Sequence, residues 1–506
     1  MSHLVVLPVV LPLMVAALQL VAAPRLAAQR ALGLGAGAAL VLIAGLLLAA
    51  SADGAYRVYA LGAWPAPFGI VLVLDRMAAL MVAVTALLAL GVIAAAVRGW
   101  DARGRYFHAF FQFQLAGING AFLTGDLFNL FVFFEVLLIA SYCLLLHGLG
   151  TVRLRAGLHY VIINLSASAL FLVAVGVLYA LTGTLNMADL GARVAALPAS
   201  DVPLARAAGL LLLVVFGVKA ALFPLYFWLP TAYTAASAPV AALFAVMSKI
   251  GMYAILRVHT LLFGEHAGAA SLADTPLMAL GIVTLVLASI GTLAAGRISA
   301  VVAYFTIMSA GSTLIAVAVF GQQGFAAALY YMAHSSFALG ALFLAAGLIG
   351  AQRGTLEDRL TPGPALAQPA ALGVLLLVGA VSIAGLPPLS GFIGKLLILQ
   401  SVRGEALAWA WSAILATSLL AIVCWTRVGS LIVWNNVPGA AAGPRAGAAD
   451  LAPAAFLAAC SVALAAFAAP VHRFTDAAAA QLVEPRGYVD AVLRAAPEPR
   501  HRELPR

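Results

Sequence analysis

Ile383-Ala384-Gly385-Leu386-Pro387-Pro388-Leu389-Ser390-Gly391-Phe392-Ile393-Gly394-Lys395 lies inside an otherwise apolar run at 370–401. As one straight helix that run would be about 48 Å long at 1.5 Å per residue. The hydrocarbon core of a bilayer is only about 30 Å thick. Proline lacks a backbone donor and clashes with the turn before it, so the run breaks near its middle. Unwound backbone at membrane depth survives only where protein buries it or a water-filled cavity faces it. The break also moves Lys395 back toward the membrane centre. A second run reads the same way: Gly217-Val218-Lys219-Ala220-Ala221-Leu222-Phe223-Pro224, with Pro230 ending it. Residues 209–225 and 373–389 align without gaps at nine identities in seventeen, and Pro224 falls on Pro388.

The rest of the chain supplies the setting for these two breaks. Of 506 residues, 64% are hydrophobic and 9% charged, against about 25% charged in a soluble domain. No soluble core could hide this much apolar surface, which excludes a cytosolic enzyme, a nucleic-acid binder and a disordered chain. Fourteen runs are apolar and long enough to span: 3–23, 31–50, 69–97, 106–124, 127–147, 157–182, 207–229, 238–262, 275–294, 298–320, 324–350, 370–401, 406–434 and 451–470. The sequence therefore predicts an all-α polytopic membrane protein of about fourteen helices. Residues 1–23 lack a basic leader and read as a retained first helix rather than a signal peptide. Trp64, Trp100, Trp228, Trp409, Trp411 and Trp434 lie near span ends, where interfacial anchors are expected.

The broken runs are seventh and twelfth, and a repeat offset by five helices must invert its topology. Paired broken helices in inverted repeats point to a transport site near the midplane. The expected organisation is accessory helices 1–3 at 1–105, a first five-helix repeat at 106–262 and a second, inverted, at 275–434. Helix 14 follows at 451–470, then a polar C-terminal tail at 471–506.

The formal charge of +9 sits mostly in short loops and the tail, which suits membrane orientation better than nucleic acid. Loops after odd-numbered spans hold eleven arginines and loops after even-numbered spans hold four. By the positive-inside rule both termini lie outside. The six arginines of the tail are a weak counter-signal, diluted by its acidic residues. Cys143, Cys424 and Cys460 form no C-x-x-C pair, so neither a metal site nor a disulfide framework is expected. No glycine-rich nucleotide fingerprint occurs, and no cofactor is expected.

Of 27 basic residues only three are lysine: Lys219, Lys249 and Lys395. All three lie inside apolar spans, whereas the loops and tail use arginine. Lysine can lose its proton when desolvated and arginine effectively cannot, so a site that loads and unloads protons needs lysine. Lys219 and Lys249 are too central to snorkel out. Glu135 is the one acidic residue deep in a span, and a lysine is its natural partner. His334 sits mid-span beside Ser335 and Ser336 and suits a proton relay. His159 lies near a span start and reads as a weaker candidate. Asp75, Arg76, Arg257 and Arg427 read as structural pairs or snorkellers.

The stretch Gly117-Ile118-Asn119-Gly120-Ala121-Phe122-Leu123-Thr124-Gly125-Asp126-Leu127-Phe128-Asn129-Leu130-Phe131-Val132-Phe133-Phe134-Glu135 resembles the D-type subunit of the multisubunit Mrp-type monovalent cation/proton antiporters. So do Lys219-Ala220-Ala221-Leu222-Phe223-Pro224-Leu225 through Trp228-Leu229-Pro230, and Gly385-Leu386-Pro387-Pro388 through Lys395. The superfamily includes the antiporter-like proton-pumping subunits of respiratory complex I and of membrane-bound hydrogenases. The resemblance implies fourteen helices with inverted five-helix repeats. It implies a polar axis of a span-5 glutamate, a span-7 lysine, a span-8 lysine or histidine and a span-12 lysine or glutamate. Glu135, Lys219, Lys249 and Lys395 match those positions, and His334 resembles the span-11 histidine of several members. The implied partners are sibling subunits of a hetero-oligomeric complex in a bacterial inner membrane, membrane lipid, protons, and sodium or potassium.

Two other readings remain open at this point. One is a proton-pumping subunit of an NADH–quinone oxidoreductase or membrane-bound hydrogenase, with the redox chemistry in other subunits. Lys395 argues mildly against the complex I subunit of similar length, whose last site resembles a glutamate. The other is a self-contained fourteen-span drug exporter, but 51–68 holds only Asp53 and Arg57 where that class carries an acidic–basic signature.

Overall fold

The computed structural model describes residues 2–64, 66–272, 275–435, 437 and 443–494. Helices α1 (Leu7–Val21) and α2 (Leu26–Ser51) come first. A two-stranded hairpin, β1 (Arg57–Ala60) with β2 (Val71–Leu74), leads into α3 (Arg76–Ala96). Then follow α4 (Phe107–Leu123), α5 (Leu127–Leu146), α6 (Thr151–Thr182), the short surface helix α7 (Met187–Ala195) and α8 (Val202–Ala220). The middle of the chain forms α9 (Trp228–Ala235), α10 (Ala238–Phe244), α11 (Met247–Leu262), α12 (Leu277–Ala294), α13 (Ile298–Val317) and α14 (Gln322–Arg353). The last helices are α15 (Pro369–Ala384), α16 (Ser390–Ser401), α17 (Ala406–Gly429), α18 (Ala448–Ala466), α19 (Ala468–Val483) and α20 (Arg486–Leu493).

Eleven helical spans of the described residues are each long and apolar enough to cross a membrane. Helices α1 and α4 and the broken pair α15–α16 bring the spans to fourteen, in the positions the hydropathy predicts. Helices α10–α11, α13 and α14 are buried almost throughout, while α6, α12, α17 and α18 show apolar side chains on their outer faces. This reverses the soluble pattern: the outer surface is apolar because its solvent is lipid.

Both predicted breaks are present. Helix α8 ends at Ala220 and α15 at Ala384, and the next residues, Ala221 (φ +57°) and Gly385 (φ +82°), are both left-handed. Ala221 and Gly385 are partners in the alignment that sets Pro224 on Pro388, so the two breaks share one geometry. Glycine adopts it freely, and alanine holds it at a cost of roughly 1–2 kcal/mol. Pro230 does not end the first broken span. It lies in the first turn of α9, where proline's missing donor is harmless. Trp228 is no interfacial anchor. It is 3% exposed and its Nε1 donates to the Val218 carbonyl at 3.1 Å, closing the break. A third interruption separates α10 from α11, where Ala245 and Val246 donate to carbonyls three residues back rather than four (3.3 Å each).

Two further expectations are corrected. Residues 71–74 of the third run are strand, not helix. Val71–Leu74 pairs antiparallel with Arg57–Ala60, and the α3 helix starts only where the Asp75 carboxylate accepts from the Ala78 amide (2.8 Å). The segment after 470 is also more ordered than a polar tail. Helices α19 and α20 pack on the bundle and bury Thr475, Ala478, Ala479, Leu482, Tyr488 and Val492. Residues 495–506 of that tail lie outside the described residues.

Asp75 also makes an ion pair with Arg257 of α11 at 2.7 Å, and both side chains are buried. The guanidinium donates to Tyr253 Oη (2.9 Å) and lies 5.1 Å from the Tyr488 ring centre, so one pair ties α3, α11 and α20 together. Removing one member of such a pair costs about 3–5 kcal/mol, because it leaves the other charge buried alone. We expect Arg257→Met to lower the thermal midpoint of the purified protein sharply, and Asp75→Asn/Arg257→Met to recover most of the loss. A double variant no better than the single would show that the pair is not what Arg257 contributes.

Candidate functional site

The last turn of α8 carries Lys219, 5% exposed, at the C-terminal end of a half-helix where unpaired carbonyls favour a cation. Its Nζ donates to three oxygens of α6: the Asn164 carbonyl (3.3 Å), Asn164 Oδ1 (3.4 Å) and Ser168 Oγ (3.4 Å). Asn164 and Ser168 are four residues apart, so they stand on one face of α6. Ser168 Oγ in turn donates to Glu135 Oε1 of α5. The lysine–glutamate pair expected from the sequence is thus bridged by a hydroxyl that accepts from one partner and donates to the other. The Phe134 ring lies 5.8 Å from Nζ. Glu135 is only partly buried and reaches the outer surface of the bundle between α5 and α6.

Lys249 is fully buried in the first turn of α11, just past the third break. Its Nζ donates to Ser309 Oγ of α13 (2.6 Å) and Ser248 Oγ (3.4 Å). Ser309 donates its own proton to the Thr306 carbonyl (2.7 Å).

His334, on the buried helix α14, shares a 2.9 Å hydrogen bond between Nδ1 and Ser390 Oγ. Ser390 opens α16, the second half of the broken span. It joins Ser461 of α18 (3.1 Å), which joins Ser382 at the end of α15 (2.8 Å). The adjacent hydroxyls expected to serve the histidine do not: Ser335 and Ser336 both donate back to the Met332 carbonyl. His334 Nε2 is buried without a hydrogen-bond partner among the described residues.

Lys395 Nζ donates to the carbonyl of Ala384 (2.8 Å), the last residue of α15, and to Ser418 Oγ of α17 (2.9 Å). The two broken-span lysines both lie at a break, Lys219 in the last turn of α8 and the Lys395 amine against the last carbonyl of α15. Gly385 serves this twice. Its φ is left-handed, and a Cβ there would meet Lys395 Cδ at 2.6 Å.

All five residues singled out from the sequence lie within the apolar spans. The structure links Glu135 to Lys219 through Ser168 and ties His334 to Ser390, the first residue of the helix that carries Lys395. Among the described residues, no hydrogen bond joins one lysine directly to another. Sequence reasoning missed Ser168, Asn164, Ser309, Ser390, Ser461 and Ser418. Their one advance signal was the i,i+4 spacing of Asn164 and Ser168 in an apolar run. His159 is exposed and lines a groove of about 1340 Å³ that opens on the side of the odd-numbered loops, beside Pro230 and Thr231 of α9. A cavity of about 750 Å³ opens on the other side, by Gln322, Ser401, Arg403 and Asp476. Chemically, the arrangement offers ionisable amines held by neutral hydroxyls and carbonyls, with a single carboxylate at one end.

Comparison with known proteins gives matches along the whole chain. The sequence profile of a family described as NADH:quinone oxidoreductase/Mrp antiporter, transmembrane, matches residues 124–421. A probable K(+)/H(+) antiporter subunit of the D type from Rhizobium meliloti is 40% identical, the match covering 98% of each chain. A Na(+)/H(+) antiporter subunit of the same type from Bacillus subtilis is 37% identical over 98% of this chain and all of the relative. Among solved structures, a chain of the Mrp complex from a Dietzia species superposes with a TM-score of 0.90 at 28% identity, covering 97% of this chain and 100% of that one.

Proposed function

The chain belongs to the NADH:quinone oxidoreductase/Mrp antiporter membrane family, and from that premise we propose that it is the proton-translocating subunit of a multisubunit antiporter that exchanges sodium or potassium for protons. The observation that carries the reading is the Lys219–Ser168–Glu135 string at the broken span: a buried amine, a hydroxyl and a carboxylate in hydrogen-bond order. The relatives described above are antiporter subunits, which favours exchange over redox-driven pumping.

Protons pass laterally near the midplane, along Glu135, Lys219, Lys249, His334 and Lys395. Direct transfer needs about 3 Å or one bridging water, so ordered water fills the gaps between these groups. Loading one lysine raises the cost of loading its neighbour through charge repulsion. The path approaches the surface at both ends, at Glu135 between α5 and α6 and at Ser418 on α17, which is also only partly buried. A carboxylate facing lipid at this depth is costly, so a sibling subunit covers Glu135 in the assembly.

The protein sits in a bacterial inner membrane with both termini outside. The N-terminal turn, the hairpin and the C-terminal helices gather on one side: the His3 ring lies 5.7 Å from Tyr59, Tyr56 lies 5.8 Å from Tyr488, and Gln481 donates to the Gly54 carbonyl. That is the side of the arginine-poor loops.

Two experiments test the reading. A tagged chain purified from its native membrane retrieves sibling antiporter subunits; recovery of redox subunits instead would overturn it. In everted vesicles carrying the assembled complex, adding sodium or potassium dissipates an imposed pH gradient. Ser168→Ala removes the bridge, and a hydrogen bond to a charged group is worth about 1.5–3 kcal/mol. Exchange is therefore expected to slow by roughly an order of magnitude or more, with Ser168→Thr retaining most of the rate. Equal rates in the two variants would show that the hydroxyl is not part of the path.

A further inference from the structure

The side of the arginine-rich loops carries a cationic cluster that the transport path does not use. Trp100, at the end of the third span, has a guanidinium on its ring from two directions: Arg103 at 4.8 Å and Arg153 at 4.7 Å from the ring centre. Arg153 donates to the carbonyls of Leu149 (2.8 Å) and Ala235 (3.2 Å). Arg155 follows two residues later in the first turns of α6, exposed and lining the same groove as Arg153. None of the three arginines has a carboxylate partner among the described residues. The acids nearest this cluster across the groove, Glu357 and Asp358, are both held by Arg297. Arg103 and Arg153 thus crowd one indole with Arg155 two residues further on, and the nearest acids across the groove are bonded to Arg297 rather than to them, an arrangement that an anion relieves.

The groove beside them has the shape of an interfacial site. Arg153 and Arg155 line it, with exposed Leu149 just before α6 and exposed Val152 and Leu158 on the helix adding apolar surface. A polar head at the rim and apolar chains along the helix match a two-part ligand. Basic pockets between transmembrane helices bind anionic headgroups, and indole and guanidinium groups anchor at this depth.

We propose that the start of α6, with Arg103 and Arg153 on Trp100 and Arg155 lining the groove beside them, binds an anionic phospholipid, its phosphate on the guanidiniums and its acyl chains along Val152 and Leu158. The site is independent of the proton path.

The test uses the assembled complex in nanodiscs of phosphatidylglycerol, of phosphatidylcholine, and of phosphatidylcholine with added inorganic phosphate. Native mass spectrometry after a delipidating wash counts retained lipid, and thermal unfolding reads stabilisation. Arg103→Gln/Arg155→Gln changes two exposed side chains and leaves the bonds of Arg153 to backbone in place. The intact complex is expected to retain phosphatidylglycerol and to melt higher in it than in phosphatidylcholine. The double variant should lose both effects, with retention falling about 10- to 30-fold for two interfacial arginines. Equal retention by the variant overturns the proposal. So does stabilisation by inorganic phosphate as large as that by the lipid, or a structure of the assembly with a sibling subunit's segment seated in the groove.

Discussion

Alanine at Glu135 is expected to cut cation/proton exchange to about 3% of the normal rate or less, in a complex that still assembles. The carboxylate accepts from Ser168, whose oxygen also receives the Lys219 ammonium, and the remaining contacts of Lys219 are the neutral oxygens of Asn164. Removing the acid leaves a buried ammonium with neutral partners only. Truncating one member of a hydrogen-bonded charge pair costs about 2–5 kcal/mol. On the transport barrier that is roughly 30-fold to more than a thousandfold. The figure belongs at the lower end, because Glu135 is partly exposed and the pair is bridged rather than direct. Assembly should survive, since α5 is anchored elsewhere by its Asp126 cap and by Tyr160 on Ser141. The check is pH-gradient dissipation in everted vesicles, with the amount of assembled complex measured alongside. A fully assembled Glu135→Ala complex that exchanges at the normal rate would remove this residue from the path.

Lys219→Arg is expected to fail nearly as badly as Lys219→Ala. Arginine keeps the positive charge but does not release its proton at any accessible pH. A positioned proton-transfer group contributes about 10²–10⁴-fold, so both variants should run below about 1% of the normal rate. The pair of variants separates two roles that alanine alone confounds. If a fixed charge at the end of α8 were all that mattered, the arginine variant would retain most of the exchange, and the carrier role of Lys219 would have to be abandoned.

The fold is legible in the sequence wherever one physical constraint dominates. Twenty apolar residues have few alternatives to a membrane span, and Pro224 and Pro387-Pro388 leave a helix little choice but to break. The α10–α11 interruption carries no such mark, because no glycine or proline accompanies Ala245-Val246. Strand β2 reads as helix because Val71–Leu74 runs into the apolar α3 without a visible boundary except Asp75. The ionisable residues stand out because charge in a span is costly. Their partners do not, because serine and threonine in a membrane helix commonly bond the carbonyl a turn back. Ser335 and Ser336 do only that, Ser309 does it while also accepting from Lys249 of another helix, and Ser168 and Ser390 turn to other helices, and only the tertiary structure separates these cases.

A continuous proton path between the two broken helices has ordered water as its most direct signature. A structure of the assembled complex in a lipid bilayer, at a resolution that shows bound water, should reveal water molecules and hydroxyls linking Lys219, Lys249, His334 and Lys395 without a gap longer than one hydrogen bond. Continuous packed apolar side chains between any two of these groups, in every conformation the complex adopts, would contradict it.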